Sequence, residues 1–233
     1  MKTKILAAPL ALALVAPAAP LLAQQTFSLP ADCTGYMTVQ TRACSISHHF
    51  TCSSDPEGWQ RRIDLDPQGI TYAGAVDSET QWVESFHVLS GHSETLAPDP
   101  NDPASFTELT ETGRDSYDFR TISPEQGETR FVGRDELTGE TRTINGLLLE
   151  ETDYRIQAIS PEGEILWESE GNEYINRENR LFLSGPGTTT VDGETFPSDD
   201  SPVEISFPGD PGFLAVEPLF GCNVVSSSWS PDE

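Results

Sequence analysis

The nonapeptide CSISHHFTC, residues 44–52, places two adjacent histidines between two cysteines. Thiolates and imidazoles are ligands for zinc and copper, so the string first suggests a metal centre. Strand periodicity argues against it. In an extended segment His48 and His49 point to opposite faces, where they cannot share one ion. His48 lies in phase with Ile46 and Phe50, and burial beside them is its expected fate. A zinc or copper site needs His48 or His49 to meet His87 or His92 across neighbouring strands, with a carboxylate to complete it. His48, His87 and His92 are the candidate ligands, and no metal is assigned to them.

The remaining chemical motifs are incomplete. GHSET (91–95) starts like the G-x-S-x-G elbow of a hydrolase but has Thr95 at the last glycine, and no helix pattern follows. It reads as turn and loop. DPNDPASF (99–106) has calcium-loop-like acids but lacks the glycine and the closing glutamate of an EF-hand. Carboxylates are so numerous that any glycosidase-like pair is arbitrary, so no catalytic residue is chosen. Phosphate loops, dinucleotide glycine motifs, CxxC pairs and zinc-protease helix motifs are missing, and no cofactor is implied.

The elements that must position these residues are mostly strands. Turn signals recur at 66–69 (DPQG), 123–127 (SPEQG), 137–139 (LTG), 145–146 (NG), 160–163 (SPEG) and 192–193 (DG). Between them run short alternating segments. DYRIQAI sets Tyr154, Ile156 and Ala158 against Arg155 and Gln157, and SYDFRTI sets Tyr117 and Phe119 against Asp118 and Arg120. One short helix is expected near 103–111, with Asp102 as cap, Pro103 at its first position, Gly113 ending it, and Phe106 and Leu109 on one face. Residues 184–202 read as a long loop or weak hairpin. The fold class is mainly β: an antiparallel meander forming a curved sheet, half-barrel or sandwich, one face of which is wet or lines a wet cavity.

Residues 1–23 have two lysines, an apolar middle and a small-residue exit, the layout of a signal peptide cleaved near Ala23. The apolar part is too short for a membrane span, which takes roughly 20 residues. A single β-rich domain is expected over 24–228, with a loose tail at 229–233. Beyond residue 23 the chain has 11 arginines, no lysine and 38 acids, a net charge of −27. That balance repels phosphates and anionic lipids, so nucleic acid and membrane surfaces are set aside as partners. Loosely bound divalent cations are compatible with it.

Four cysteines in an exported chain imply two disulfides among Cys33, Cys44, Cys52 and Cys222. Cys33–Cys44 with Cys52–Cys222 is placed first, ahead of the crossed pairing Cys33–Cys52 with Cys44–Cys222, and ahead of a local Cys44–Cys52 bridge should 44–52 turn. The meander pattern is similar to small exported bacterial β proteins, among them periplasmic carriers with an open, curved sheet. That resemblance implies an architecture and not a function. With nine aromatics on strand-like segments, from Trp59 to Phe182, the expectation is an exported, periplasmic or extracellular, non-enzymatic protein. It would bind an apolar or amphipathic ligand, or a protein partner, on a concave face. The alternatives are a secreted hydrolase with an acid/histidine site and a calcium-binding envelope or matrix component.

Overall fold

Wherever apolar and polar residues alternate between turn signals, the chain is extended. The computed structural model describes residues 26–222, so the expected signal segment and C-terminal tail lie outside it. The strands are β1 (Cys33–Thr41), β2 (Ile46–Cys52), β3 (Gln60–Asp66), β4 (Gly69–Val76), β5 (Trp82–His87), β6 (His92–Leu96), β7 (Arg114–Ser123), β8 (Gly127–Ile144), β9 (Leu147–Ile159), β10 (Ile165–Asn176), β11 (Leu181–Val191), β12 (Glu194–Asp199) and β13 (Pro202–Ser206). One helix, α1 (Phe106–Thr112), falls between β6 and β7. The strands form a single open antiparallel sheet in which each pairs with the next from β1 to β12, while β13 returns to the free edge of β1.

The sheet curls. Met37 and Val39 of β1 pack with Leu147 and Leu149 of β9, Tyr174 of β10, Leu181 and Leu183 of β11 and Ile205 of β13, joining strands far apart in the sheet order. Hydrogen bonds span the same gap. Gln60 Nε2 donates to the Asn179 and Arg180 carbonyls, and the Ile205 amide donates to Asn145 Oδ1. Tight curling needs strands to approach closely, and two tyrosines mark where they do. Tyr117 covers its register partner Gly133, where a Cβ would stand 2.6 Å from the ring. Tyr154 puts its hydroxyl 2.7 Å from the place of a Cβ on Gly187. Aromatic cover over glycine lets a sheet bend without exposing backbone.

The helix begins later than expected. Ser105 is the N-cap, its hydroxyl accepting from the Glu108 amide, while Gly113 ends the helix at φ 89° as anticipated. Asp102 instead forms a β-bridge with Asp118. Residues 104 and 105 are held by distant side chains: the Ala104 amide donates to Gln81 and the Ser105 amide to Asp115. Phe106 and Leu109 share the buried face as expected and pack on Ile175. The LTG sequence is not an inter-strand turn. β8 runs through it with a bulge between Leu137 and Thr141, Gly139 taking the positive φ. Residues 184–202 form the β11–β12 hairpin. Asp192 and Gly193 are both at positive φ at its tip, the primed turn that Asp-Gly favours.

The first-ranked disulfide pairing is overturned. Cys33 and Cys52 are register partners across β1 and β2, with Cα atoms 3.9 Å apart, and they are bonded. Cys44 lies at the other end of that hairpin, beyond reach of Cys33, and bonds Cys222. Cys33 opens β1, and antiparallel pairing with β2 sets it opposite Cys52 and a full strand length from Cys44. Two disulfides fit an oxidising, non-cytoplasmic setting. Among the described residues no helix is long and apolar enough to cross a membrane.

Candidate ligand cavity

Within the curl lies a cavity of about 800 Å³. One part of its wall is aromatic. Phe119 of β7 and Phe131 of β8 stack at 5.4 Å, Trp82 meets both edge-on at 5.6 and 5.4 Å, and Trp167 of β10 lies 6.0 Å from Phe131. These rings project inward because the polar partners in their strands face solvent: Asp118 and Arg130 are paired on the outside at 2.6 Å. Phe106 brings α1 to the lining. The helix is held there by Glu79, whose carboxylate accepts from the Thr107 amide and hydroxyl, the Ser105 hydroxyl and Arg180. A shallower trough of about 490 Å³, lined by Phe50, Ile63, Ala73 and Phe86, lies on the opposite face of β3–β5 and is less well enclosed by aromatics.

The rest of the interior wall is polar. Across β2 to β6 runs a ladder of rings and charge. His49 pairs in register with Arg62, whose guanidinium sits 4.9 Å over Tyr72; Tyr72 meets His87 edge-on at 5.2 Å, and His87 stacks on His92 at 4.5 Å. Asp115, Asp135 and Glu173 line the same cavity. Arg62 keeps 36 % of its side chain accessible although protein surrounds it, because that surface looks into the cavity. Its nearest acid is Asp64 at 3.2 Å.

Burial governs protonation here. It pushes Glu173 up to about 7 against the opposing pull of Arg62, and Asp115 up to about 6. Asp135 is driven well above the carboxylate range by burial, with Glu173 and Asp115 adding to the effect. His49 is lowered to about 3 by burial and then by Arg62 and His48. His49 Nε2 and Asp115 Oδ1 are buried without a hydrogen-bond partner in the protein, an uncommon situation for buried polar atoms.

The sequence candidates separate. His48 is fully buried on the other face of β2, its Nδ1 3.0 Å from the Thr38 hydroxyl and its ring stacked on Phe27 at 5.0 Å. Burial lowers it to about 4. His87 and His92 do meet, but with each other and not with His48. Glu94 joins them, its oxygens 3.9 Å from His87 Nε2 and 4.0 Å from His92 Nε2. Of GHSET, Gly91 makes the turn at φ 68°, and His92 and Glu94 turn inward from β6 while Ser93 points away. Compared with known proteins, the chain matches no family model, no curated protein and no solved structure.

Sequence reading missed Arg62, Asp115, Asp135 and Glu173. A signal existed for three of them. Asp115 is in phase with Tyr117 and Phe119, Asp135 with Phe131, and Glu173 with Trp167. On β7, β8 and β10 an acid that shares the parity of the inward aromatics lies on the inner face with them.

Proposed function

We propose that the protein is an exported binding protein that holds an amphipathic small molecule inside the curled sheet. The observation that supports this is the division of one cavity into an aromatic wall and a titratable wall. A volume of about 800 Å³ falls within the range of small-molecule sites, which are lined mainly by apolar groups with a few polar ones for orientation. The apolar body of the ligand lies against Trp82, Phe119, Phe131 and Trp167. Its head, a hydrogen-bond donor or an ammonium, is received by Asp115, Asp135 and Glu173, and an ammonium also gains from the aromatic faces. Binding a cation pulls protons off these carboxyls, so affinity for an ammonium head rises between pH 5 and 8. The test is solvent extraction and mass spectrometry of purified protein, followed by titration of tryptophan fluorescence with long-chain amines, fatty acids and sterols. Saturable quenching that weakens at least tenfold in Trp167→Ala supports the reading. Protein that carries no extractable molecule and shows no saturable response to any of these probes overturns it.

A second reading is hydrolytic, favoured by the convergence of His87, His92 and Glu94 at the cavity. It expects turnover of an ester, glycan or peptide substrate that is lost in His92→Ala, and screening without such turnover removes it.

A further inference from the structure

From the meeting of His87 on β5, His92 and Glu94 on β6, we infer that the cavity carries a site for one divalent transition-metal ion of the zinc class. The ligand atoms of the three side chains all lie within 4.8 Å of one another. Two imidazoles and a carboxylate form a donor set for Zn²⁺, and three protein ligands leave a coordination position open. Bonds of 2.0–2.2 Å in a tetrahedral arrangement bring ligand atoms to about 3.4 Å apart. The Nε2–carboxylate separations of 3.9 and 4.0 Å are within reach of that value, and metal capture also requires the two rings, stacked with planes 11° apart, to tilt about their side-chain torsions until both Nε2 lone pairs meet at the ion.

The backbone supports this geometry. His87 and His92 are register partners that flank the β5–β6 turn, so the pairing of the two strands fixes their separation. Glu94 shares its face with His92 two residues before it. The Ser90 hydroxyl stands 2.7 Å from His92 Nδ1. By accepting from Nδ1–H it holds the tautomer whose Nε2 lone pair is free for the ion, the orienting role that a second group commonly plays for a ligating histidine. The Tyr72 ring packs edge-on against His87 on the side away from His92's strand. All three ligands also line the cavity, so the open coordination position looks into it. The site stands whether or not an amphipathic ligand occupies the aromatic part.

The test uses tag-free protein, stripped with chelator and titrated calorimetrically with Zn²⁺ in excess Ca²⁺, which occupies the many exposed carboxylates. The expected result is one equivalent with micromolar or tighter affinity, and with Co²⁺ a visible absorption spectrum of low coordination number. His87→Ala and His92→Ala each weaken binding at least tenfold, while Ser90→Ala weakens it less. Because a histidine variant can misfold, histidine side-chain NMR of the wild-type chain is read alongside: Zn²⁺ shifts His87 and His92 and leaves His48 and His49 unchanged. The inference is overturned by a lack of saturable binding in excess Ca²⁺, by full affinity in a folded His87→Ala/His92→Ala double variant, or by shifts confined to His48 and His49.

Discussion

Glu173→Gln is the substitution that most directly probes the interior. Burial raises this carboxyl from an ordinary 4.5 to about 7. A raised acid is fully compatible with the fold while protonated, and its contribution is lost as pH climbs from the unfolded value to the folded one. Between 4.5 and about 7 the unfolded chain ionises and the folded chain does not, which removes about 1.4 kcal/mol of stability per pH unit, or about 3 kcal/mol in all. Glu173 lines a cavity that water can enter, so screening reduces this to about 2 kcal/mol. The neutral glutamine has the same shape and no proton to lose. The stability difference between Glu173→Gln and the parent should therefore move in favour of the variant by about 2 kcal/mol from pH 5 to pH 8.5. In a domain of this size that corresponds to roughly 4–8 °C in melting temperature. The measurement is urea unfolding followed by circular dichroism at both pH values. Taking the difference between variant and parent cancels the opposite trend from His48 and His49, whose lowered values add stability as pH rises. A gap that stays constant with pH, or moves against the variant, would refute the account of a desolvated Glu173.

Glu79→Gln removes charge-assisted acceptance from Thr107, Ser105 and Arg180 and should destabilise by about 2 kcal/mol in urea titration, with early exposure of α1 to proteolysis. Gly133→Ala forces a methyl against the Tyr117 ring and the Arg155 carbonyl; a loss of about 2–4 kcal/mol is expected on chemical denaturation. Non-reducing peptide mapping should return Cys33–Cys52 and Cys44–Cys222. Cys44→Ser/Cys222→Ser should leave the sheet folded but make the segment after β13 a preferred site of limited proteolysis.

The local pattern carried much of this molecule. Period-two alternation and Asp-Gly or Asn-Gly turns sufficed for the meander, Phe106 and Leu109 for the helix face, and the parity of His48 with Ile46 for its burial. What was not legible depends on register between strands distant in sequence. Nothing local to Gly133 says that Tyr117 covers it, and nothing local to Leu137 distinguishes a bulge from a turn. The disulfides illustrate the same limit: their pairing depends on the β1–β2 register that sets Cys33 opposite Cys52, and no residue near either cysteine states that register. For the candidate site, strand parity separated His48 from His49 correctly. The meeting of His87 with His92 required knowing that 88–91 is a turn placing the two histidines in register.

The placement of β13 has a consequence for the order of assembly. β1 pairs with β13, Thr26 bridges Ala215, and Cys44 is bonded across a sequence separation of 178 to Cys222. The chain is thus a loop in connectivity although its sheet stays open at β12. A polypeptide that emerges from its N-terminus can build the hairpins from β2 to β12 in turn, but the outer side of β1 and the pocket around His48 stay uncovered until the last described residues arrive. Closure at the two ends joins segments from opposite ends of the chain, and the Cys44–Cys222 bond locks it.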